Sequence, residues 1–136
     1  MKTKTLLAAA LLICAGLASP SGFACQDDGF KQFYSDFQSA VKAGDKDKVA
    51  SMINFDSFTW ESSDAMRQVQ TKEAFLKNYD RMFTPTIKAK IATGKLDSAD
   101  GNYFIIWHTK SEEFSLYFAR GKDGSYKFEG YMVGPY

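Results

Sequence analysis

The first half of the chain carries apolar residues at the spacing of helices. Phe30, Phe33, Phe37 and Val41 recur at intervals of three or four residues, which predicts a helix with one buried face. Gly44 follows them, at the position where glycine commonly ends a helix. The pattern therefore predicts an amphipathic helix that ends at Gly44.

Three further helices are predicted from capping residues and shorter apolar stripes. Asp45, Thr71 and Thr84 each precede a stripe and offer a side-chain oxygen to the free N–H groups of a first turn. Pro85 takes the first helical position after Thr84, where proline is well tolerated, and Gly94 is expected to end that helix. The stripes are Val49, Met52 and Ile53; Phe75, Tyr79, Met82 and Phe83; and Ile87 and Ile91.

The last third of the chain changes to the spacing of strands. Its runs of aromatic and β-branched residues are Asn102–Thr109, Phe114–Arg120 and Tyr126–Val133. Residues 110–113 form a polar connection, and the glycine in 122–124 suits the positive φ of a hairpin loop. A shorter strand is expected within Phe55–Ser63. Helices, a short β segment, a helix and a meander predict a single α+β domain.

Three segments resemble the nuclear transport factor 2-like superfamily, which includes ketosteroid isomerase. They are FQSAVKAGDKDKVASMI, QVQTKEAFLKNYD and GSYKFEGYMV, which together span most of residues 27–133. The resemblance implies a cone-shaped α+β fold, with N-terminal helices packed on a curved antiparallel sheet. It also implies a cavity between the sheet and the helices, and dimerisation through the sheet, as is common among relatives.

Alternation along the strands divides their side chains between two faces. With 110–113 as the loop, Thr109 is expected opposite Phe114, and His108 opposite Ser115. The inner face is predicted to hold Tyr103, Ile105, Trp107, Phe114, Leu116, Phe118, Phe128 and Met132, with Arg120 and Tyr126 at one end. The outer face is predicted to hold Phe104, Ile106, His108, Ser115, Tyr117, Lys127, Glu129 and Tyr131.

No catalytic residue is predicted from this arrangement. Enzymes with the cone fold place acids, histidines or tyrosines inside the cavity, where burial tunes their pKa. His108 is the only histidine of the chain, and we expect it on the outer face. The predicted inner face contains no carboxylate, so the sequence favours a binding domain over an enzyme.

The residues predicted to bind a ligand lie on the inner face and the third helix. Arg120 can hold a carboxylate or phosphate through paired hydrogen bonds, with Tyr103 and Tyr126 beside it. Alternatively, Arg120 extends from the edge of the core into solvent. Trp107 and Tyr79 are candidates for the wall of an apolar pocket. A small apolar or anionic ligand is therefore expected.

The outer face is predicted to form an interface. Phe104, Ile106, His108, Tyr117 and Tyr131 would make an amphipathic patch, and tyrosines beside aliphatic residues are typical of protein interfaces. A homodimer through the sheet or contact with another protein is therefore expected.

The beginning of the chain has the layout of a secretory signal peptide. A basic start precedes the apolar run Leu6–Leu17, which is too short to span a bilayer, and small residues lead to a cleavage site after Ala24. Residues 1–24 are thus predicted to be a signal, and 25–136 the domain, in the periplasm or outside the cell. Cys25 would then be the first residue, where a lipid anchor is an alternative, and it has no second cysteine for an internal disulfide.

Composition excludes several classes of protein. Of 17 basic residues, Lys2 and Lys4 leave with the predicted signal, so 15 face 16 acids and give a charge of −1. This balance offers no basic surface for nucleic acid or anionic membrane. One histidine and one cysteine cannot build a structural zinc site, and neither a metal nor another cofactor is expected.

The leading hypothesis is an exported domain that binds a small ligand or a protein partner without catalysing a reaction. One alternative is an isomerase, dehydratase or hydrolase that uses the cavity implied by the resemblance. Another alternative is a secreted inhibitor or immunity protein. The sequence alone does not define the ligand.

Overall fold

The computed structural model describes residues 27–62 and 65–135. The predicted signal peptide and Cys25 lie outside these ranges. The helices are α1 (Asp28–Ala43), α2 (Lys46–Ser51), α3 (Lys72–Met82) and α4 (Pro85–Thr93). The strands are β1 (Thr59–Ser62), β2 (Ala65–Gln68), β3 (Leu96–Ala99), β4 (Asn102–His108), β5 (Glu112–Arg120) and β6 (Tyr126–Pro135). The predicted α+β class is confirmed.

The predicted helix boundaries are confirmed by their capping contacts. The side chains of Asp45, Thr71 and Thr84 accept hydrogen bonds from backbone N–H groups in the first turns of α2, α3 and α4. Gly44 ends α1 in the left-handed conformation, with φ of 68°. Asp27, which the sequence pattern did not single out, caps α1 by accepting from the Gly29 N–H at 2.8 Å.

One six-stranded sheet runs in the order β2-β1-β6-β5-β4-β3. The three strands of the meander pair antiparallel as predicted, whereas β1 pairs with β6 in parallel through Thr59↔Gly130 and Trp60↔Tyr131. The chain travels from β1 to β6 through the rest of the domain, and this path allows the parallel pairing. The strand β3, which is weakly marked in sequence, pairs with β4.

The β4–β5 hairpin is shifted by two residues from the predicted register. His108 lies opposite Glu113 rather than Ser115. The reason is the turn, which closes at Thr109: its N–H donates to the Glu112 carbonyl at 2.9 Å, and its hydroxyl accepts from the Glu112 N–H at 3.1 Å. A shift of two keeps every side chain on its predicted face.

A β-bulge interrupts the pairing of β5 with β6. Tyr117 pairs with Gly130 rather than with Glu129, so β6 carries one extra residue. Gly130 has φ of 136°, and a Cβ at this position would overlap the carbonyl oxygen of Thr59. The Glu129 carboxylate accepts from the Asn54 side-chain amide at 3.1 Å. Glycine is therefore required where β6 meets β1.

The bulge corrects two sequence predictions. Beyond it, the faces of β6 are exchanged, because one extra residue shifts the alternation by one step. Tyr131, predicted on the outer face, packs against the core, whereas Met132, predicted on the inner face, is 47% exposed. The prediction of faces assumed one uninterrupted ladder, and the predicted pairs of β6 with β5 hold only from Tyr126 to Phe128.

The core lies between the inner face of the sheet and the four helices. Its largest fully buried side chains are Tyr79, Phe30, Phe37, Phe75, Phe118, Phe128, Ile91, Ile105, Leu116 and Val49. Rings of α1 pack against rings of the sheet. Phe37, for example, meets Phe118 in an edge-to-face arrangement, with a centroid distance of 5.5 Å. Across the described ranges, no helix has the length and apolar character needed to cross a membrane.

Candidate functional site

The two ends of the sheet's inner face carry the polar groups that could serve a ligand. At one end, Asp27, Tyr103, Arg120 and Tyr126 form a group that we call the Arg120 cluster. At the other end, β4, β5 and β6 open towards α3 and α4 in a depression that we call the aromatic cleft. Buried residues such as Phe118 separate the two ends.

The predicted neighbours Arg120, Tyr103 and Tyr126 do lie together, but a carboxylate occupies their centre. An Arg120 guanidinium nitrogen and the Tyr126 hydroxyl both donate to Asp27 Oδ2, the latter at 3.0 Å. The guanidinium also donates to the Tyr126 hydroxyl at 3.1 Å, and the Asp27 N–H donates to the Tyr103 hydroxyl at 3.0 Å. Asp27 thus satisfies the groups that were expected to receive a ligand.

Electrostatics in the Arg120 cluster favour this internal pairing. The pKa of Asp27 lies below its ordinary value because its carboxylate accepts from the Gly29 N–H, then from the Tyr126 hydroxyl, with Arg120 adding a smaller effect. The depression beside the cluster, about 470 Å³, is also lined by Asp100. Two carboxylates against one guanidinium make this end a poor receptor for an anion.

The aromatic cleft has a volume of about 400 Å³, within the usual range of small-molecule sites. Its sheet side is formed by Trp107, Phe114, Tyr131 and Val133, with Trp60 from β1; its helix side is formed by Arg81, Met82, Thr84, Thr86 and Ile87; and Thr109 and Glu112 lie at its rim. Most of this lining is apolar, with a few polar groups at the edge. Such a lining is typical of a pocket for a small organic ligand.

Three rings in the cleft form a platform. Trp107, Phe114 and Tyr131 have centroids 5.4, 6.0 and 6.1 Å apart, and their planes lie within 24° of parallel. Rings stacked in a column would put the outer pair at nearly twice the spacing of neighbours, so these three form a triangle. All three are half-buried. Their exposed parts can contact a ligand without any movement of the backbone.

The platform depends on register rather than on nearness in sequence. Trp107 lies directly opposite Phe114 across β4 and β5. Tyr131 joins them only because the bulge turns it inward. It also pairs with Trp60 of β1, so four rings come from four strands.

Tyr131 is the phenol of the cleft. Burial, and secondly the nearby carboxylate of Glu112, raise the pKa of Tyr131 to about 12. The phenol therefore keeps its proton at neutral pH and can donate a hydrogen bond. Glu112 is the carboxylate that lines the cleft among the described residues.

Two cations lie against the indole rings of the cleft. The Arg81 guanidinium is 5.9 Å from the centroid of Trp60, and the Lys90 ammonium is 5.4 Å from that of Trp107. These distances are within the range of cation–π attraction. The contacts hold positive charge beside an apolar surface.

Tyr79, also predicted to wall a pocket, does not line the cleft. It is buried between α3 and its neighbours, with its ring stacked on Phe83 at 4.6 Å. Its hydroxyl is buried and makes no hydrogen bond with any group of the described residues. The pKa of Tyr79 is raised, mainly by burial and then by the charges of Asp80 and Asp45. We therefore regard Tyr79 as a core residue.

The predicted interface residues fall into two groups. Phe104, Ile106, His108 and Tyr117 lie on the outer face as expected, with Ile106 39% exposed. The His108 Nδ1 is 3.6 Å from a Glu113 carboxylate oxygen across the hairpin. The structure removes Tyr131 from this group, because it faces the cleft.

Sequence reasoning missed the residues that complete each end. Trp60 and Arg81 belong to segments far from the meander, and no periodic pattern links them to Trp107. Glu112 was placed within a loop. Asp27 could have been found by its position before α1, since aspartate is a preferred N-cap. Its second role, as the partner of Arg120, is not encoded in any local pattern.

A groove between α1 and α4, about 580 Å³, is larger than the cleft. It is lined by residues such as Ser39, Ala89 and Ala92, and the Gln38 side chain there already donates to the Ile91 carbonyl at 2.8 Å. Converging aromatic and polar groups identify a binding site better than volume does. We therefore consider the aromatic cleft the stronger candidate. Within residues 27–62 and 65–135, no group of three or more potential metal ligands occurs.

Comparisons with known proteins agree with this fold. No family model matches the chain, and no curated protein matches its sequence. Among solved structures, a candidate ketosteroid isomerase from Shewanella frigidimarina is 14% identical, with a TM-score of 0.47, and the match covers 81% of this chain and 98% of that one. An NTF-2 like protein of unknown function from Shewanella oneidensis is 12% identical, with a TM-score of 0.49 and coverages of 78% and 96%.

A third structure, ActVI-ORFA from Streptomyces coelicolor, is 11% identical, with a TM-score of 0.42 and coverages of 79% and 94%. In fold, the chain is similar to these three solved structures. The α+β architecture that the resemblance implies, helices packed on one sheet, is present in this structure. At these identities and TM-scores, the likeness carries no argument about a ligand or a reaction.

Proposed function

We propose that this domain binds a small, flat and largely apolar ligand in the aromatic cleft, without catalysing a reaction. The observation that carries the proposal is the platform of Trp107, Phe114 and Tyr131, which is half-buried at an opening of ligand size. Aromatic rings that are already held in place give large contact area at little entropic cost.

The packing of the interior supports binding at this opening rather than deeper in the domain. Phe118 and Phe128 are 0% and 2% exposed, and their rings contact each other at 5.2 Å. A ligand between the helices and the centre of the sheet would have to displace these rings. The platform, in contrast, needs no such displacement.

The test is titration with phenylnaphthylamine, a neutral aromatic probe whose fluorescence rises in apolar surroundings. Trp107→Ala and Phe114→Ala should each weaken binding by about ten-fold, because each removes one ring of the platform. Phe104→Ala is the matched control, since it removes a half-buried ring from the other face of β4. Equal binding by all three variants, or no binding by the parent, would contradict the proposal.

A second candidate is an enzyme that moves a proton in the same cleft, in keeping with the isomerase or dehydratase that the resemblance implies. The observation that favours it is that Glu112 and Tyr131 line the same opening, where a carboxylate and a protonated phenol are both available. A carboxylate base opposite a hydroxyl donor can shift a proton next to a carbonyl. Enolisable ketones incubated in D₂O should then gain deuterium with the parent but not with Glu112→Gln; absence of exchange would leave only binding.

We also propose that the domain acts outside the cytoplasm, on the basis of the layout of residues 1–24. Mass spectrometry of the protein from exported and cytoplasmic fractions should find a chain that begins at Cys25. A cytoplasmic chain with residues 1–24 intact would contradict this. A lipid on Cys25 would appear as added mass.

The outer face is proposed to hold a second copy of the chain. The register places Ile106, Ser115 and Met132 in one row across β4, β5 and β6, and Ile106 and Met132 are the exposed large apolar residues of the described chain. Light scattering should give a dimer mass that Ile106→Lys reduces to a monomer. A monomeric parent would refute this proposal and leave the cleft unaffected.

A further inference from the structure

The charges around the aromatic cleft define the ligand further. Arg81 lies at the mouth and is exposed, and no carboxylate of the described chain is within ion-pairing distance of its guanidinium. Its contact with Trp60 instead holds it beside the apolar lining. Arg81 therefore keeps its hydrogen-bond donors for a group that comes from solution.

Lys90 supplies a second positive charge near the platform. Its ammonium lies over the Trp107 ring at 5.4 Å and forms no ion pair within the described ranges. Trp107 thus has the platform rings on its sheet side and a cation against its indole. Two carboxylates lie near these cations: Glu112 lines the cleft, and Glu61 accepts a hydrogen bond from the Val133 N–H at 3.1 Å, so it already has an internal partner.

In the Arg120 cluster, by comparison, the hydrogen-bond donors of the arginine are paired within the protein. There, Asp27 occupies the guanidinium, and Tyr126 accepts a further hydrogen bond from it. Within the described part of the chain, Arg81 contacts the face of an indole, which attracts the charge but does not occupy the N–H groups. A ligand anion at Arg81 therefore displaces no internal partner, whereas one at Arg120 must compete with Asp27.

We infer that the ligand of the aromatic cleft is an amphiphilic organic anion, whose flat apolar body lies on the platform and whose carboxylate, sulfonate or phosphate group meets Arg81, while Lys90 adds positive charge beside Trp107. This inference rests on the proposed function and names its ligand class. The Tyr131 hydroxyl supplies a donor near the same mouth. Glu112 disfavours anions on its own side, so it orients the charged end of the ligand towards Arg81.

Two probes with the same ring system separate the charge from the body. Anilinonaphthalene sulfonate carries an anion, whereas phenylnaphthylamine has the same rings without it. The parent should bind the sulfonate about ten-fold more tightly than the neutral probe at low salt, and this preference should shrink as salt screens the charges. Equal affinities that do not depend on salt would overturn the inference and leave the proposed function standing.

Substitutions locate the charge that recognises the anion. Arg81→Gln should weaken sulfonate binding by about ten-fold, and Lys90→Gln by about three-fold, with little change for the neutral probe. Arg120→Gln is the matched control, because it removes a guanidinium at the opposite end of the same face, and it should leave both affinities unchanged. If Arg120→Gln weakens sulfonate binding as much as Arg81→Gln does, the assignment to the cleft is wrong.

Glu112→Gln tests the sign of the effect. Removal of this carboxylate should tighten sulfonate binding by about three-fold, because the like charge of the anion is no longer repelled. A weaker sulfonate complex in this variant would contradict the inferred orientation. Thermal unfolding of each variant, followed by circular dichroism, identifies any loss of fold. Failure of both probes to bind the folded parent contradicts the proposed function itself.

Discussion

The two ends of the sheet's inner face contain similar residues in different states. Each end has an arginine beside aromatic rings, yet Arg120 is held by Asp27, whereas Arg81 rests on Trp60 without an ion pair in the described chain. The first arrangement fastens the start of α1 to the sheet. The second leaves charge at an opening. An arginine alone therefore does not identify a binding site. What distinguishes a binding site from a structural contact is whether the N–H donors of the arginine are already occupied by the protein.

Long-range contacts create this difference. Asp27 and Arg120 are 93 residues apart in sequence, and neither identifies the other by any spacing. Arg81 and Trp60 likewise come from α3 and β1. Both ends are therefore products of the folded sheet, and substitutions can test each end separately.

A large effect is expected where β6 pairs with β1. Gly130→Ala should destabilise the domain by about 3 kcal/mol or more, because its φ of 136° is unfavourable for alanine and its Cβ would overlap the Thr59 carbonyl. Urea unfolding measures the change. Gly134→Ala in the same strand is the control, since a Cβ there has open space, and it should be nearly neutral. Equal stability of the two variants would contradict the close contact between Gly130 and the Thr59 carbonyl of β1.

A second comparison sets the packing of one end against that of the other. Phe30→Ala should cost about 3–5 kcal/mol, because the ring is fully buried and stacks on Tyr103 at 3.6 Å. Trp107→Ala should cost about 2 kcal/mol, since its ring is only half-buried. Denaturant unfolding gives both values. A larger cost for Trp107 would mean that the platform supports the fold rather than a ligand.

Acid should weaken the contacts of Asp27 in the Arg120 cluster. The folded-state pKa of Asp27 is lowered, so its carboxylate stabilises the fold above its ordinary pKa of 3.8, and this contribution is lost as pH falls through the lowered value. Melting temperatures between about pH 6 and pH 2 should therefore fall less steeply in Asp27→Asn than in the parent. The pKa of Asp123 is also lowered, by hydrogen bonds from Ser125. Asp123 should therefore leave some dependence of the melting temperature on pH in the Asp27→Asn variant. Parallel profiles for parent and variant would contradict the pairing of Asp27.

The smallest effect concerns a phenol that belongs to neither end. Tyr79→Phe should leave stability unchanged or raise it by about 1 kcal/mol, because its buried hydroxyl lacks a hydrogen bond in the described chain. Tyr34→Phe is the matched case: its hydroxyl donates to the Ile91 carbonyl at 2.6 Å, so the loss should cost about 1 kcal/mol. Calorimetry can compare the two. Destabilisation by Tyr79→Phe would indicate a partner such as a buried water.

The helices were predictable because their signals are local. Phe30 and Phe37 mark the buried side of α1, and Asp45, Thr71 and Thr84 cap helices within three residues of their own position. Capping energies and apolar spacing need no knowledge of distant residues. The order of elements followed from these signals, and so did the fold class.

The sheet was predictable only where its ladder is regular. The two-residue error at the β4–β5 turn did no harm, because an even shift keeps His108 outward and Trp107 inward. The one-residue bulge near Glu129 did alter the result, since it exchanged Tyr131 and Met132. Sequence offers a weak sign of this bulge, a glycine inside a strand at position 130.

The site was harder to predict than the fold. The grouping of Tyr103, Arg120 and Tyr126 followed from strand register, but the neutralising Asp27 did not. Trp107 was correctly predicted to face inward. Trp60 joins it in the cleft because β1 pairs with β6 in parallel, and Arg81 joins it because α3 and α4 pack over this end of the sheet. Tertiary contacts of this kind have no periodic signature.

The extra residue in β6 shifts the alternation of side chains along this strand by one position. Before Glu129, even-numbered residues such as Phe128 face inward. After it, odd-numbered residues face inward, and this places Tyr131 in the platform. A chain that lacked Glu129 would form a regular ladder in which Gly130 still lies opposite Tyr117 and Tyr131 still lies opposite Leu116. The bulge therefore accommodates one additional residue in β6 and leaves the ligand surface unchanged, so the loss of a residue at this point need not alter the platform.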